Sequence, residues 1–180
     1  MHLTSIGSGE FHVTANPEDV LVVYDLGEAI AIMIFDPVSK VGGLLHFPLP
    51  DSSPNPDRAR TQPATFADTG IPLFLRTAAE FGAQKEQLVI HAVGGAQLDP
   101  SVPQMGKKNY LAMRKILWKS GVFIKHENIG GSVLRIAALQ LDTGLVMVRE
   151  SSDAGNDEPN SANSMPVWAM EAERVSMKVS

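Results

Sequence analysis

Apolar residues fall into short runs punctuated by turn residues, with two stretches where the period lengthens to that of a helix. Glu10 to Thr14 predicts an edge strand after a leader of Gly, Ser and His, closed by Asn16-Pro17-Glu18-Asp19. Val20 to Tyr24 and Ala29 to Phe35 are short and rich in β-branched residues. The second run scarcely alternates, which predicts a strand buried on both faces. Asp36 to Lys40 reads as a turn in which Asp and Ser side chains bond the local backbone. Val41 to Leu49 predicts a third strand, and Gly42-Gly43 within it predicts a bulge or a close backbone approach. Pro50 to Pro63, with its four prolines, reads as a loop. From Ala67 the spacing predicts a helix: Asp68 or Thr69 as cap, Pro72 in the first turn, Leu73, Phe74, Thr77, Ala78 and Phe81 on one face, Gly82 as stop. Leu88 to Val93 predicts a strand ending at Gly94-Gly95. Asn109 to Ser120 predicts a second helix, with Leu111, Ile116 and Leu117 among its apolar positions and Gly121 as stop. Val122 to His126, Leu134 to Leu141 and Leu145 to Arg149 complete the strands, the last two joined by a hairpin turn at Asp142-Thr143-Gly144.

The pattern breaks after Glu150. Residues 1–150 form one domain, and a chain of 180 residues suffices for one substantial core. Residues 151–164 are rich in Ser, Asn, Asp and Gly with no large apolar side chain, a polar linker. Residues 165–180 regain apolar members, Trp168, Val175 and Met177 among them, and form a tail expected to dock on its own domain or on a partner.

Charge and composition remove several classes. Lys plus Arg number 15 against 20 Asp plus Glu, and the densest basic stretch (Lys107, Lys108, Arg114, Lys115, Lys119) has the spacing of a helix's solvated face, so no nucleic-acid partner is expected. The chain has no cysteine, which excludes disulfides, thiolate metal sites and thiol catalysis. No signal peptide is expected, and the longest apolar run, Ala29 to Phe35, is far too short for a membrane span. A cytoplasmic protein is the expectation. His2, His12, His91 and His126 have no metal-ligand spacing, and none of the Gly-Gly pairs (42–43, 94–95, 130–131) sits in a phosphate-binding motif. No metal or cofactor is expected, and the glycine pairs are read as backbone bulges.

Four stretches stand in order: Leu26-Gly27-Glu28-Ala29 running to Asp36-Pro37; Val41-Gly42-Gly43-Leu44-Leu45-His46-Phe47-Pro48-Leu49-Pro50; Phe66-Ala67-Asp68-Thr69-Gly70-Ile71-Pro72 through Gly82-Ala83 to Gly94-Gly95-Ala96; and Met105-Gly106-Lys107-Lys108-Asn109 continuing to Gly130-Gly131 and Arg135. Together they resemble the CheD family of chemotaxis proteins. The resemblance implies an α+β fold, two packed mixed or antiparallel β-sheets with the helices outside, of cysteine-hydrolase-like type. It implies deamidation of glutamines on methyl-accepting chemoreceptors: a thiolate attacks the amide carbon, a histidine activates the thiol and protonates the departing ammonia, and a threonine orients the imidazole. His46 stands at the histidine position. Ala29 stands where the resemblance puts the cysteine, Val23 where it puts the threonine, and Glu28 replaces the serine before the cysteine. Losing the nucleophile of a comparable triad costs about six powers of ten in turnover.

The expectation is therefore a non-catalytic CheD-like protein that binds a methyl-accepting chemoreceptor or a CheC-type phosphatase and modulates adaptation. The alternative is an amidohydrolase with an altered nucleophile, Ser39 or Thr4 among the hydroxyls, or a Glu28–His46 pair. A third is a role in another signalling pathway. The two main readings differ at His46: a binding module predicts a pocket filled by Ala29 and Val23, an enzyme a hydroxyl or carboxylate within hydrogen-bond reach of the imidazole.

Overall fold

In the computed structural model residues 1–151 are described, and the predicted linker and tail lie outside them. Among these residues the strands are β1 His2–Ser5, β2 Glu10–Thr14, β3 Asp19–Leu26, β4 Ile30–Phe35, β5 Gly42–Phe47, β6 Val89–Gly94, β7 His126–Ile129, β8 Leu134–Gln140 and β9 Val146–Ser151. The helices are α1 Pro56–Thr61, α2 Ala67–Glu80 and α3 Met105–Ser120. They form an α+β fold of two sheets, ordered β1-β3-β8-β9 and β2-β5-β4-β6-β7. Both are mixed: β1 runs parallel to β3 and β6 to β7, and the remaining pairs are antiparallel.

Alternation along the strands sorts the side chains into layers. Ile30, Ile32 and Ile34 of β4 and Leu45 and Phe47 of β5 pack beneath α2 and α3 with Ile71, Phe74, Met113 and Leu117. Their neighbours Ala31, Met33, Phe35 and Leu44 turn the other way and meet Leu21, Val23, Ala137 and Leu139 of the four-stranded sheet. Every residue of β4 is buried because this central strand has a layer on each side, which is why its run does not alternate in hydropathy. The helices cover only the outer side of the five-stranded sheet.

Several expectations are corrected. The proline-rich stretch holds α1, whose Asn55 side chain caps the helix by accepting from Arg58 N, with Pro56 in the first turn. Helix α2 starts at Ala67 without a side-chain cap. Asp68 instead accepts from the Ser52 N–H and hydroxyl, and the Thr69 hydroxyl donates to the Pro63 carbonyl. Pro72 lies inside the helix, and Phe81 and Leu111 face solvent. Gly82, with φ +107°, and Gly121, with φ +69°, stop their helices as expected. Helix α3 begins earlier, at Met105, and the strand expected at Val122–His126 forms at His126–Ile129. The Gly-Gly pairs are not bulges, since the ladders through Gly42, Gly43 and Gly94 are in regular register. A β-carbon on Gly43 would lie 2.8 Å from the His12 carbonyl oxygen and from the Phe74 ring, so this pair is a close approach of backbone and helix. The other pairs occupy left-handed turns, at Gly95, Gly130 and Gly131 for instance.

The β4–β5 turn is anchored by buried Asp36, which accepts from Val38 N (2.8 Å), Ser39 N (3.2 Å) and Gln84 N (2.8 Å). Burial alone would raise its pKa, but those N–H donors outweigh it and hold the carboxyl below the usual range.

Candidate functional site

The β5 strand delivers His46 to the layer between the sheets, because Leu45 and Phe47 on either side take the helix-facing positions. Ala31 is its direct cross-strand partner. Ala29 lies two residues before Ala31 and packs against the same inter-sheet cluster, and Val23 enters that cluster from the opposite sheet. The three positions singled out in the sequence thus converge on one layer, contributed by three elements. Residues 27–29 form a bend rather than part of the strand.

The imidazole of His46 is 7% exposed. Its Nδ1 lies 3.4 Å from the Ile6 carbonyl oxygen. Burial pushes its pKa below the ordinary histidine value, against the opposing pull of the Ile6 carbonyl, the Glu10 carboxylate and the Gly7 main chain. Glu10 is the cross-strand partner of His46 on β2 and the acidic neighbour of the ring. Its carboxylate accepts from Gly7 N at 2.9 Å. Glu28 makes no bond to the imidazole. Ser39 sits in the turn at the far end of the β4–β5 hairpin, where its hydroxyl accepts from Val41 N. Thr4 lies on β1, two residues before Ile6. No hydroxyl or carboxylate among the described residues hydrogen-bonds the ring.

The bend at Ala29 is held from two sides. Gly95 N donates to Ala29 O and Ala96 N to Gly27 O, both at 2.9 Å. From the helix layer, the fully buried Asn109 donates its Nδ2 to Glu28 O at 3.0 Å and Pro48 O at 2.9 Å. One amide therefore ties the residue before Ala29 to the segment following His46. Asn109 and Glu10 are the site residues the sequence reading missed. Asn109 carried a signal, as a polar residue within the last resembling motif; Glu10 carried none, because only the β2–β5 register pairs it with His46.

Beside the bend runs a groove of about 420 Å³ lined by Gly95, Gln97, Gln104, Gly106, Lys107, Tyr110, Ile129, Gly130 and Gly131. Arg135 braces the turn at Gly130, donating from Nε to Asn128 Oδ1 (2.8 Å) and from Nη2 to Gly130 O (2.6 Å). Among the described residues no cluster of three or more His, Asp or Glu could hold a metal ion, and no helix is long and apolar enough to cross a membrane.

The family model for CheD, chemotactic sensory transduction, matches residues 48–150, beginning just past His46. A probable chemoreceptor glutamine deamidase CheD 1 of Syntrophus aciditrophicus is 43% identical over 148 residues, covering 81% of this chain and 92% of the relative. A protein of the same designation, without the number, from Solibacter usitatus is 43% identical over 148 residues (81% and 88%). A CheD 2 of Anaeromyxobacter dehalogenans is 42% identical over 151 residues, 83% of this chain and 95% of the relative.

Proposed function

The chain belongs to the CheD family, and from that membership we propose that it recognises a methyl-accepting chemoreceptor, or a CheC-type phosphatase competing for the same surface, without deamidating it. The observation that carries this reading is the surroundings of His46. The imidazole faces a layer to which Ala29 and Val23 contribute only methyl groups, and it hydrogen-bonds the Ile6 main-chain carbonyl. A methyl group cannot attack an amide carbon, and a neutral imidazole with no hydroxyl or thiol in reach has nothing to activate.

The rest of the site suits recognition. The bend carrying Ala29 is pinned by Asn109, Gly95 and Ala96. The neighbouring groove offers Gln97, Gln104 and Lys107 as polar contacts and Ile129 as an apolar one. A rigid bend beside a groove of this kind receives a helix presenting amide side chains, which is the form a receptor glutamine takes.

The test compares receptor binding with amide-to-acid conversion, read by mass spectrometry on a purified receptor cytoplasmic fragment. The expected result is that the natural chain binds the fragment and leaves its glutamines unchanged, while Ala29→Cys combined with Val23→Thr restores conversion. Conversion by the natural chain, abolished by His46→Ala, would overturn the proposal and establish an altered nucleophile.

A further inference from the structure

The outer side of the four-stranded sheet carries a third apolar cluster: Val20, Val22, Ile136 and Ala138, with Leu3, Tyr24 and Met147 packed against it. All seven side chains come from the sheet's own strands, and the helices α2 and α3 lie on the other sheet. A sheet face open to water keeps its side chains partly exposed, yet Val20, Val22, Ile136 and Ala138 are 4%, 0%, 1% and 0% exposed. The Tyr24 hydroxyl and the Gln140 Nε2 are also buried and have no hydrogen-bond partner among the described residues. Gln140 alternates in phase with Ile136 and Ala138 along β8, so it belongs to this same face. Among the described residues the apolar side chains packed against this cluster are those of the sheet itself, and burial this complete points to a further layer over the face.

We propose that residues 165–180 of this chain are that cover, with Trp168 among the side chains seated on the face. The described part ends at Ser151, on β9, which is itself the edge strand of this sheet. The 13 residues from 152 to 164 can span up to about 45 Å when extended. The four-strand sheet is only about 15 Å across, so the segment reaches any point on it. The segment matches the face in chemistry, with Met165, Val167, Trp168, Met170, Val175 and Met177 as its apolar members. A tail that returns over the sheet adds a further layer and occupies the face that would otherwise be free to pair with another molecule.

The experiment uses the full chain with a benzoylphenylalanine photo-cross-linker replacing Trp168. The expected product is an intramolecular cross-link to peptides of β1, β3, β8 or β9, the strands of this sheet, at unchanged molecular mass. In parallel, the full chain carrying Trp118→Phe leaves Trp168 as its sole tryptophan, and its emission should be blue-shifted and poorly quenched by iodide. Cross-links joining two chains would overturn the proposal in favour of a second copy as the cover. Cross-links to other elements, or none together with a fully quenchable Trp168, would overturn it outright.

Discussion

At the scale of single residues, the site is organised by Asn109 as much as by His46. Its amide is fully buried and donates to two carbonyls that belong to different segments, Glu28 and Pro48. Removing it leaves both carbonyls without that donor in a place water reaches poorly, at about 1–3 kcal/mol apiece. Asn109→Ala is expected to lower stability in urea unfolding by about 2–6 kcal/mol. In the Ala29→Cys, Val23→Thr background it should also reduce the restored turnover, because the introduced thiol and the His46 imidazole would no longer be held by a common anchor. Residue-scale reasoning singled out His46 and Ala29 from motifs and Val23 from the resemblance, and the fold gathers Ala29 and Val23 in one inter-sheet cluster. The pairing of Glu10 with His46 was beyond it, because nothing in a linear chain says which residue of β2 will lie opposite which residue of β5.

At the scale of elements, the places where backbone meets backbone decide which glycines matter. Gly94 ends β6 with φ +113°, and a β-carbon there would fall on the Ala29 carbonyl oxygen. Gly106 opens α3 where a β-carbon would run into the carbonyls of Gly95 and Ala96, so the helix can start only as close as a hydrogen permits. Gly130 also has positive φ, +87°, but open space around it. Gly94→Ala is therefore expected to cost about 3 kcal/mol or more, from strain and overlap together. Gly130→Ala should cost only about 1–2 kcal/mol, from the left-handed conformation alone. Thermal unfolding of the two variants side by side checks the difference. The elements themselves were largely legible. The runs at β2, β3, β4 and β8 and the stops at Gly82 and Gly121 follow from period and turn chemistry. Helix α1 was missed because its prolines read as loop, although Pro56 suits a helix's first turn. The start of α3 was misplaced because Met105 and Gly106 lack a capping signal; Gln104, at the cap position, makes no side-chain bond.

For the whole molecule, acid sensitivity follows from His46 and His91, whose pKa values burial lowers. His91 and His126 stack across the parallel β6–β7 pair, ring centroids 4.6 Å apart. Burial, then the charges of His126 and Lys125, lower the His91 pKa to about 4. His46 is lowered by burial as well. The unfolded chain protonates these rings near pH 6.5, so below that pH the unfolded state binds more protons than the native state. Their contribution to stability is present above about pH 6.5 and is lost as pH falls toward 4. For the partly exposed His91 the full gap corresponds to about 3 kcal/mol, which solvent screening reduces to about 1–2 kcal/mol. Unfolding free energies measured from pH 7 to 4 should fall over this window, and His91→Gln should flatten the slope. An unchanged slope in that variant would remove His91 as its source.

What the sequence determined by itself was the family, the succession of strands and helices, and the absence of any thiol, because each is written in local period, turn residues and composition. The tertiary structure alone decided that Ala29, Val23 and His46 share one inter-sheet layer, that Glu10 pairs with His46 while Asn109 ties the flanking segments from the helix side, and that the outer face of the four-stranded sheet is buried. Those facts depend on cross-strand register and on which faces of two sheets meet, and both are set by long-range packing that no short stretch of sequence contains.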